Sequence, residues 1–507
     1  MQHTSASLRL LLWPVPILSL ALLLLSACTN DFAQRSIVIK TVTQTAADAT
    51  HLPETSGLPA VDADTDLGVE NVDTVRYYTE TVTLPTYPYE RYQTDALDVQ
   101  YNWPYKVFDV DRFRAEAPIP EPRDYRVLVL ENAYLKVLIL PELGGRIWQV
   151  IHKPSGAPMF YQNDVVKPTH WGIENQRGWL GLGGLEWGLP VIEHGYDWGS
   201  AWDVSVEQPS KEIASVTLST PPDDRYLQAK ITVSLRAGVA TFEVQPTLTN
   251  ISAKALDFSF WQDAMLAPGS GQRPSNELHF VLPTDKMTVH STANAILPQP
   301  GQTFAWPLYK ERDWSRLGNW QQYLGFFEAP AAHGPFVGVY DPAYDAGAVR
   351  IFPADIARGS KVFALGWSDT LAGYNYADDD SRYVELHGGL APTFADQYHL
   401  PAGGSITWDE TWYPVQGMGD LTFANAVAAL DVEQSTAGLR VAFYPTQPLD
   451  GELLVLINGQ AVTRRTVQVT PAAPFNALLL EGAMPVGDWS IQFQDRAGGV
   501  LFTYPVE

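Results

Sequence analysis

Cysteine is almost absent from this chain. Cys28 is the only one in 507 residues, so no disulfide can form within the chain and no paired-cysteine zinc site exists. The histidines never fall at His-x-x-x-His spacing, which removes the usual helical zinc motif as well. Positive charge is scarce: 33 Lys and Arg stand against 57 Asp and Glu, a net charge of −24. A field of that sign repels nucleic acid and discourages anionic polymers such as polyuronates. There is no phosphate-cradling glycine loop and no internal repeat.

What the chain has instead is turns. Its 38 glycines and 38 prolines are spread along the length, between short runs of Val, Ile, Leu, Tyr, Trp and Phe. That texture predicts an all-β protein. Residues 76–84 alternate at period two, 126–130 and 134–140 flank a hairpin signal at Glu131-Asn132-Ala133, and further strands are readable to 405–413. From about 422 Trp and His almost vanish, and seven short strand candidates follow between 438 and 505, the pattern of a small immunoglobulin-like sandwich.

The N-terminus predicts a destination. Residues 10–25 form an apolar run preceded by Arg9, broken by Pro14 and Pro16 and ending in Leu25-Ser26-Ala27-Cys28. The run is short for a membrane span and has small residues at its end, as a cleaved signal does. The tetrapeptide resembles the lipobox of bacterial lipoproteins, which implies cleavage before Cys28 and lipidation of its thiol. The reading is a signal peptide over 1–27, a flexible Ala/Thr/Asp/Ser-rich tether over 28–74, a large β domain over 75–430 and the small sandwich over 431–507. The protein is then expected on the cell envelope, anchored by lipid and extracytoplasmic.

The segment 178–194 concentrates the chemistry. Glycines at 178, 181, 183, 184 and 188 allow a sharp bend around Trp179, Glu186, Trp187, Glu193 and His194. Carboxylate, imidazole and flat aromatic are the groups a sugar site uses, and a packed core would not ordinarily choose them. Glu186, hemmed in by Gly183, Gly184 and Trp187, reads as a carboxyl of raised pKa fit to act as an acid.

The motifs Pro141-Glu142-Leu143-Gly144-Gly145-Arg146-Ile147, Gly183-Gly184-Leu185-Glu186-Trp187 with Pro190 and His194, Trp261-Gln262-Asp263-Ala264, Leu282-Pro283-Thr284-Asp285, Gly338-Val339-Tyr340-Asp341, Tyr383-Val384-Glu385-Leu386 and Trp412-Tyr413-Pro414 recur in order. In this pattern the chain resembles the bacterial domain-of-unknown-function family DUF5107, within the galactose-mutarotase-like (aldose 1-epimerase-like) superfamily. The resemblance implies a β-supersandwich, two large antiparallel sheets face to face with a carbohydrate cleft across one face. By order it implies Glu385 as base and His194 as acid, with Arg146, after the Gly-Gly turn, holding a sugar hydroxyl or carboxylate; His170 in Lys167-Pro168-Thr169-His170 is a second cleft candidate, expected as a substrate positioner. Where the family pattern carries Trp-Ser-Asn, this chain has Trp261-Gln262-Asp263, which adds an acidic group to the expected cleft.

Each residue also has a plainer reading: Glu385 facing solvent, Arg146 paired with Glu142 across its turn, His194 a loop histidine held by backbone. Trp179 and Trp187 are expected to face the sugar. No cofactor is expected; Asp378-Asp379-Asp380 offers a weak calcium possibility against the plainer reading of a solvated loop. The functional expectation is a carbohydrate-binding, sugar-active enzyme performing anomeric epimerisation or glycosidic cleavage. The rivals are a non-catalytic surface glycan-binding protein and an envelope protein that keeps the fold without the site.

Overall fold

The computed structural model describes residues 73–170, 173–292, 294–366, 376–482 and 486–506. The apolar run, Cys28 and nearly all of the tether lie outside the described residues.

Alternating burial builds two large sheets. The strand Ile213–Ser219, for example, turns Ala214, Val216 and Leu218 inward and leaves the residues between them partly exposed. Antiparallel pairing in this way joins a twelve-stranded and a nine-stranded sheet. They stack on a shared apolar core, to which Leu185, Trp187, Ala264, Val362 and Leu386 come from the first sheet and Val216, Ile231, Val244 and Val339 from the second. This is the two-sheet sandwich that the resemblance implies.

The first sheet has a second apolar layer on its outer face. There Leu138, Leu140, Trp148 and Met265 pack under Tyr89, Phe113, Trp179 and Tyr376 from covering segments. Part of that cover comes from the proline- and tyrosine-rich stretch for which the sequence predicted no element. It forms a hairpin, Gln93–Asp98 with Trp103–Phe108, and a short helix, Val110–Glu116, capped by the Asp109 carboxylate on the Arg112 N–H.

The glycine-rich segment corrects the expectation of a free-standing bend. Gly184–Gly188 is a strand, flanked by Arg146–His152 on one side and Trp261–Leu266 on the other. The sharp turn is confined to its entry, where Gly183 and Gly184 take φ of +88° and +79°. A side chain at Gly183 would place its Cβ 1.8 Å from the Tyr161 carbonyl oxygen, so only glycine fits there.

From Phe423 onward the chain forms two four-stranded sheets around Leu430, Val441, Phe443, Val455, Ile491 and Phe493. One of them lies on the outer face of the nine-stranded sheet, where Ala429, Ala442 and Tyr444 meet Tyr340, Val349, Tyr413 and Val415. Among the described residues no helix is long and apolar enough to cross a membrane.

Candidate functional site

Strand register brings the polar residues together. Asp263 lies directly opposite Glu186 on one neighbour and opposite His387 on the other, and His387 lies opposite Lys361. Four adjacent strands thus present one continuous row, Glu186–Asp263–His387–Lys361. Because side chains alternate, the row faces away from the core that takes Leu185, Trp187, Ala264 and Leu386. Glu385, two residues before His387, projects on the same side. His194 reaches the row from the loop after Gly188. None of these side chains is more than 7 % exposed.

At one end Glu186 is saturated. Its carboxylate accepts from the Trp179 indole at 2.9 and 3.1 Å and from His194 Nδ1 at 2.8 Å, and Arg146 Nη2 stands 3.1 Å away. The Trp179 ring stacks on the His194 imidazole at 3.7 Å between centroids. These contacts fix the imidazole's plane and occupy Nδ1, leaving Nε2 as the ring nitrogen open to chemistry.

At the other end Glu385 Oε2 lies 2.7 Å from His387 Nε2, and Glu385 Oε1 is buried with no hydrogen-bond partner. Lys361 Nζ lies 3.1 Å from the same imidazole nitrogen and 4.0 Å from Glu385 Oε2. Asp263 stands between the two ends. Its oxygens lie 3.3 Å from His387 Nε2 and 3.8 Å from His194 Nδ1, yet neither makes a hydrogen bond.

The electrostatics follow from burial. Loss of water pushes Asp263 well above the carboxylate range, and the Glu385 and Glu186 charges push it further. Burial also raises Glu385, but the Lys361 and His194 charges oppose that rise. Burial, with Lys361 and His194 adding to it, drives His387 well below the usual imidazole value, so its ring is neutral. The arrangement holds an uncharged acid at Asp263 beside a charge-supported carboxylate at Glu385. Acids and bases separated in this way are what proton transfer at neutral pH requires.

Several expected site residues fall elsewhere. Arg146 is fully buried, and four of its five N–H donors are committed, to the carbonyls of Leu143, Gly183 and Trp198 and to Glu186, so it positions the Glu186 end. It does not pair with Glu142, which accepts from the Arg126 N–H. His170 is apart from the row, taking a hydrogen bond from Arg114 Nε at 3.3 Å and packing edge-on against Phe113. Trp187 is in the inter-sheet core, because alternation turns it away from Glu186, and its indole donates to the Gly145 carbonyl. Trp179 is in the site, but its face is covered by His194 and cannot also stack on a sugar.

His387 and Lys361 are absent from the sequence reading. The signal for His387 is the alternation in Tyr383-Val384-Glu385-Leu386-His387, which puts residues 385 and 387 on one face. Lys361 carried no local signal, since only the pairing of its strand brings it to the row.

Two triads, Glu186–His194–Asp263 and Asp263–Glu385–His387, bring one ligand atom from each member within 4.8 Å of the others. The donor sets do not suit a cation. Glu186 already serves three donors, and in the second triad the Lys361 ammonium supplies the positive charge. Asp378, Asp379 and Asp380 likewise go to separate partners, Lys167, Ser381 and Arg273, and form no joint calcium cradle.

A family model described as domain of unknown function (DUF5107) matches residues 97–402. Among solved structures, a TPR-domain containing protein from Parabacteroides distasonis superposes with a TM-score of 0.56 at 20 % identity, over 67 % of this chain and 55 % of that one. The chain therefore spans about half the length of that protein, and at this identity the likeness is one of fold. A galactose mutarotase-like protein from Clostridium acetobutylicum is similar at 13 % identity over 58 % of this chain and 96 % of its own, with a TM-score of 0.39. A galactose mutarotase related enzyme from Lactobacillus acidophilus is similar at 11 % identity, over 59 % of this chain and 100 % of its own, also with a TM-score of 0.39.

Proposed function

We propose, starting from the fact that this chain belongs to the DUF5107 family, that it is a sugar-active protein performing acid–base chemistry at an anomeric centre. The observation that carries the reading is the convergence of Glu186, His194, Asp263 and Glu385, remote from one another in sequence, in one buried polar row. Glu385 is the base: its unpartnered Oε1 accepts the anomeric hydroxyl proton. His194 is the acid, giving a proton to the ring oxygen through Nε2 while Glu186 holds Nδ1. The C1–O bond to the ring oxygen then breaks, the free aldehyde forms, and reclosure on its other face yields the second anomer. Asp263, protonated, offers the sugar a hydroxyl donor between the two.

An enclosed row favours catalysis over display of a glycan platform. Trp179 and Trp187, the aromatics a platform would use, are both buried. Burial of the row excludes water from the proton transfers. The proposal keeps the protein outside the cell, tethered through lipid on Cys28, on the support of Leu25-Ser26-Ala27-Cys28 and the apolar run before it.

The test is anomeric exchange measured by NMR on a panel of free aldoses, with reducing-end release from oligosaccharides run beside it. Glu385→Gln is expected to slow exchange by about a hundredfold or more and to leave sugar binding in place. An unchanged rate in that variant would overturn the assignment. Glycosidic release without exchange would redirect the same residues to hydrolysis.

A further inference from the structure

We propose that Lys361 is a positioning residue, the counter-ion that keeps Glu385 ionised and able to accept a proton. This rests on the reading of Glu385 as the base.

Lys361 occupies a place where packing alone would not put a lysine. It sits on the strand Gly359–Ala364, directly opposite His387, and is almost wholly buried. Its ammonium lies 5.1 Å from the Phe363 ring centroid and 4.7 Å from that of Phe394. Such faces attract a cation, but they replace only part of the water it has lost. An apolar residue would fill this corner beside Trp261, Phe327 and Phe394 without that cost.

What the ammonium balances is plain from the charges around it. Beside the protonated Asp263, Glu186 and Glu385 are the remaining carboxyl groups, and Arg146 and Lys361 are the permanent cations facing them. Arg146 is committed to Glu186 and three carbonyls, so Lys361 is the cation for the Glu385 end. It cannot act there by a simple hydrogen-bond chain through the imidazole. His387 Nε2 has one hydrogen or one lone pair to give, yet Glu385, Lys361 and Asp263 all approach it, at 2.7, 3.1 and 3.3 Å. If Nε2–H donates to Glu385, the ammonium acts through its charge 4.0 Å from Oε2.

The other groups facing Glu385 do not replace that charge. Asp263 is protonated and His387 is neutral, so neither supplies positive charge. His194, which carries a proton when it acts as the acid, adds a second positive charge of smaller effect than Lys361, and the Tyr383 hydroxyl is uncharged. His290, beyond Lys361, is held neutral by burial and by the Lys361 charge. Without Lys361, burial would drive a proton onto Glu385, and the base would be lost.

The experiment compares Lys361→Met, which keeps the stem and drops the charge, with Lys361→Arg, which keeps the charge. Thermal midpoints at about pH 5 and about pH 8 need no substrate. The Met variant is expected to lose more stability at pH 8, where the carboxylates are deprotonated, than at pH 5; the Arg variant is expected to hold the same deficit at both. Equal loss, or equal failure to fold, at the two pH values in Lys361→Met overturns the proposal and leaves Lys361 a packing residue. In the exchange assay the acid limb of the kcat/KM profile should move up by at least about one pH unit in Lys361→Met and return toward wild type in Lys361→Arg. Absence of exchange in the wild type on every sugar counts against the base assignment, while the thermal comparison still decides the charge role.

Discussion

At the scale of single residues, burial decides chemistry on both faces of the same strands. One residue away from Asp263 and Lys361, on the inner face, are Gln262 and Ser360, and Glu328 lies one strand further on. Glu328 is buried without a hydrogen bond of good geometry, and its carboxyl is pushed up to about 7, mainly by burial, with Ser360 and the Arg350 charge giving partial relief. The folded state therefore holds a proton on Glu328 at pH values where the unfolded chain, near the ordinary 4.5, has released it. Stability from this group falls as pH rises through that interval, by roughly 3 kcal/mol in all. Glu328→Gln, uncharged at every pH, should gain on wild type steadily between about pH 5 and about pH 8 in urea unfolding. A constant offset between the two curves would contradict this. Residue chemistry was partly legible in the sequence: Glu186, His194, Asp263 and Glu385 are residue types a core avoids, which singled them out. Arg146 stood out for the same reason, but a guanidinium committed to the backbone and one facing a ligand look alike until the acceptors are placed.

At the scale of elements, the alternation rule accounts for both the successes and the errors. Strand existence was readable at 76–84, where the sequence alternates at period two and burial follows it from Glu80 onward. It failed at 184–188, because every residue of that strand is buried and its glycines read as a bend. The same rule, applied to Glu186 and Trp187, would have sent them to opposite faces. The turn before this strand carries its own expectation. Gly183→Ala combines a φ of +88° with a Cβ 1.8 Å from the Tyr161 carbonyl oxygen, whereas Gly301→Ala has a φ of +83° and open space around it. The Gly301 variant isolates the backbone cost, about 1 kcal/mol. The Gly183 variant should cost at least about 3 kcal/mol in denaturant unfolding, since strand and neighbour must also shift. Equal costs would mean that the turn relaxes freely.

For the whole molecule, the small C-terminal sandwich is part of the structural support of the large one. Its strands cover Tyr340, Val349, Tyr413 and Val415, and the Tyr413 hydroxyl donates to the Asn425 and Ala428 carbonyls. A chain ending at residue 422 would expose that apolar patch. It should bind a hydrophobic dye and self-associate in size-exclusion chromatography, in contrast to the full chain. A monodisperse truncated protein with the full chain's thermal midpoint would show that this face tolerates water. The two-sandwich layout was legible from the change of composition near 422, but this contact was not, since nothing in a strand's own sequence names the sheet it will lie on.

The four-strand row has one more consequence. Its chemical groups are held by the sheet ladder, where each position is tied to its neighbours by register, while the segments that cover this face, the hairpin 93–108 and the short helix Val110–Glu116 with their connecting loops, stand outside that ladder. Reactivity and selectivity are therefore inherited from different parts of the chain. Loops over the face can be exchanged, lengthened or trimmed to admit new substrates while the row stays intact. A one-residue insertion within any of the four strands cannot be graded in its effect, because it turns the reactive groups toward the inside of the sandwich. Diversification of this scaffold, in nature or in the laboratory, has an open route through its roof and a closed one through its floor.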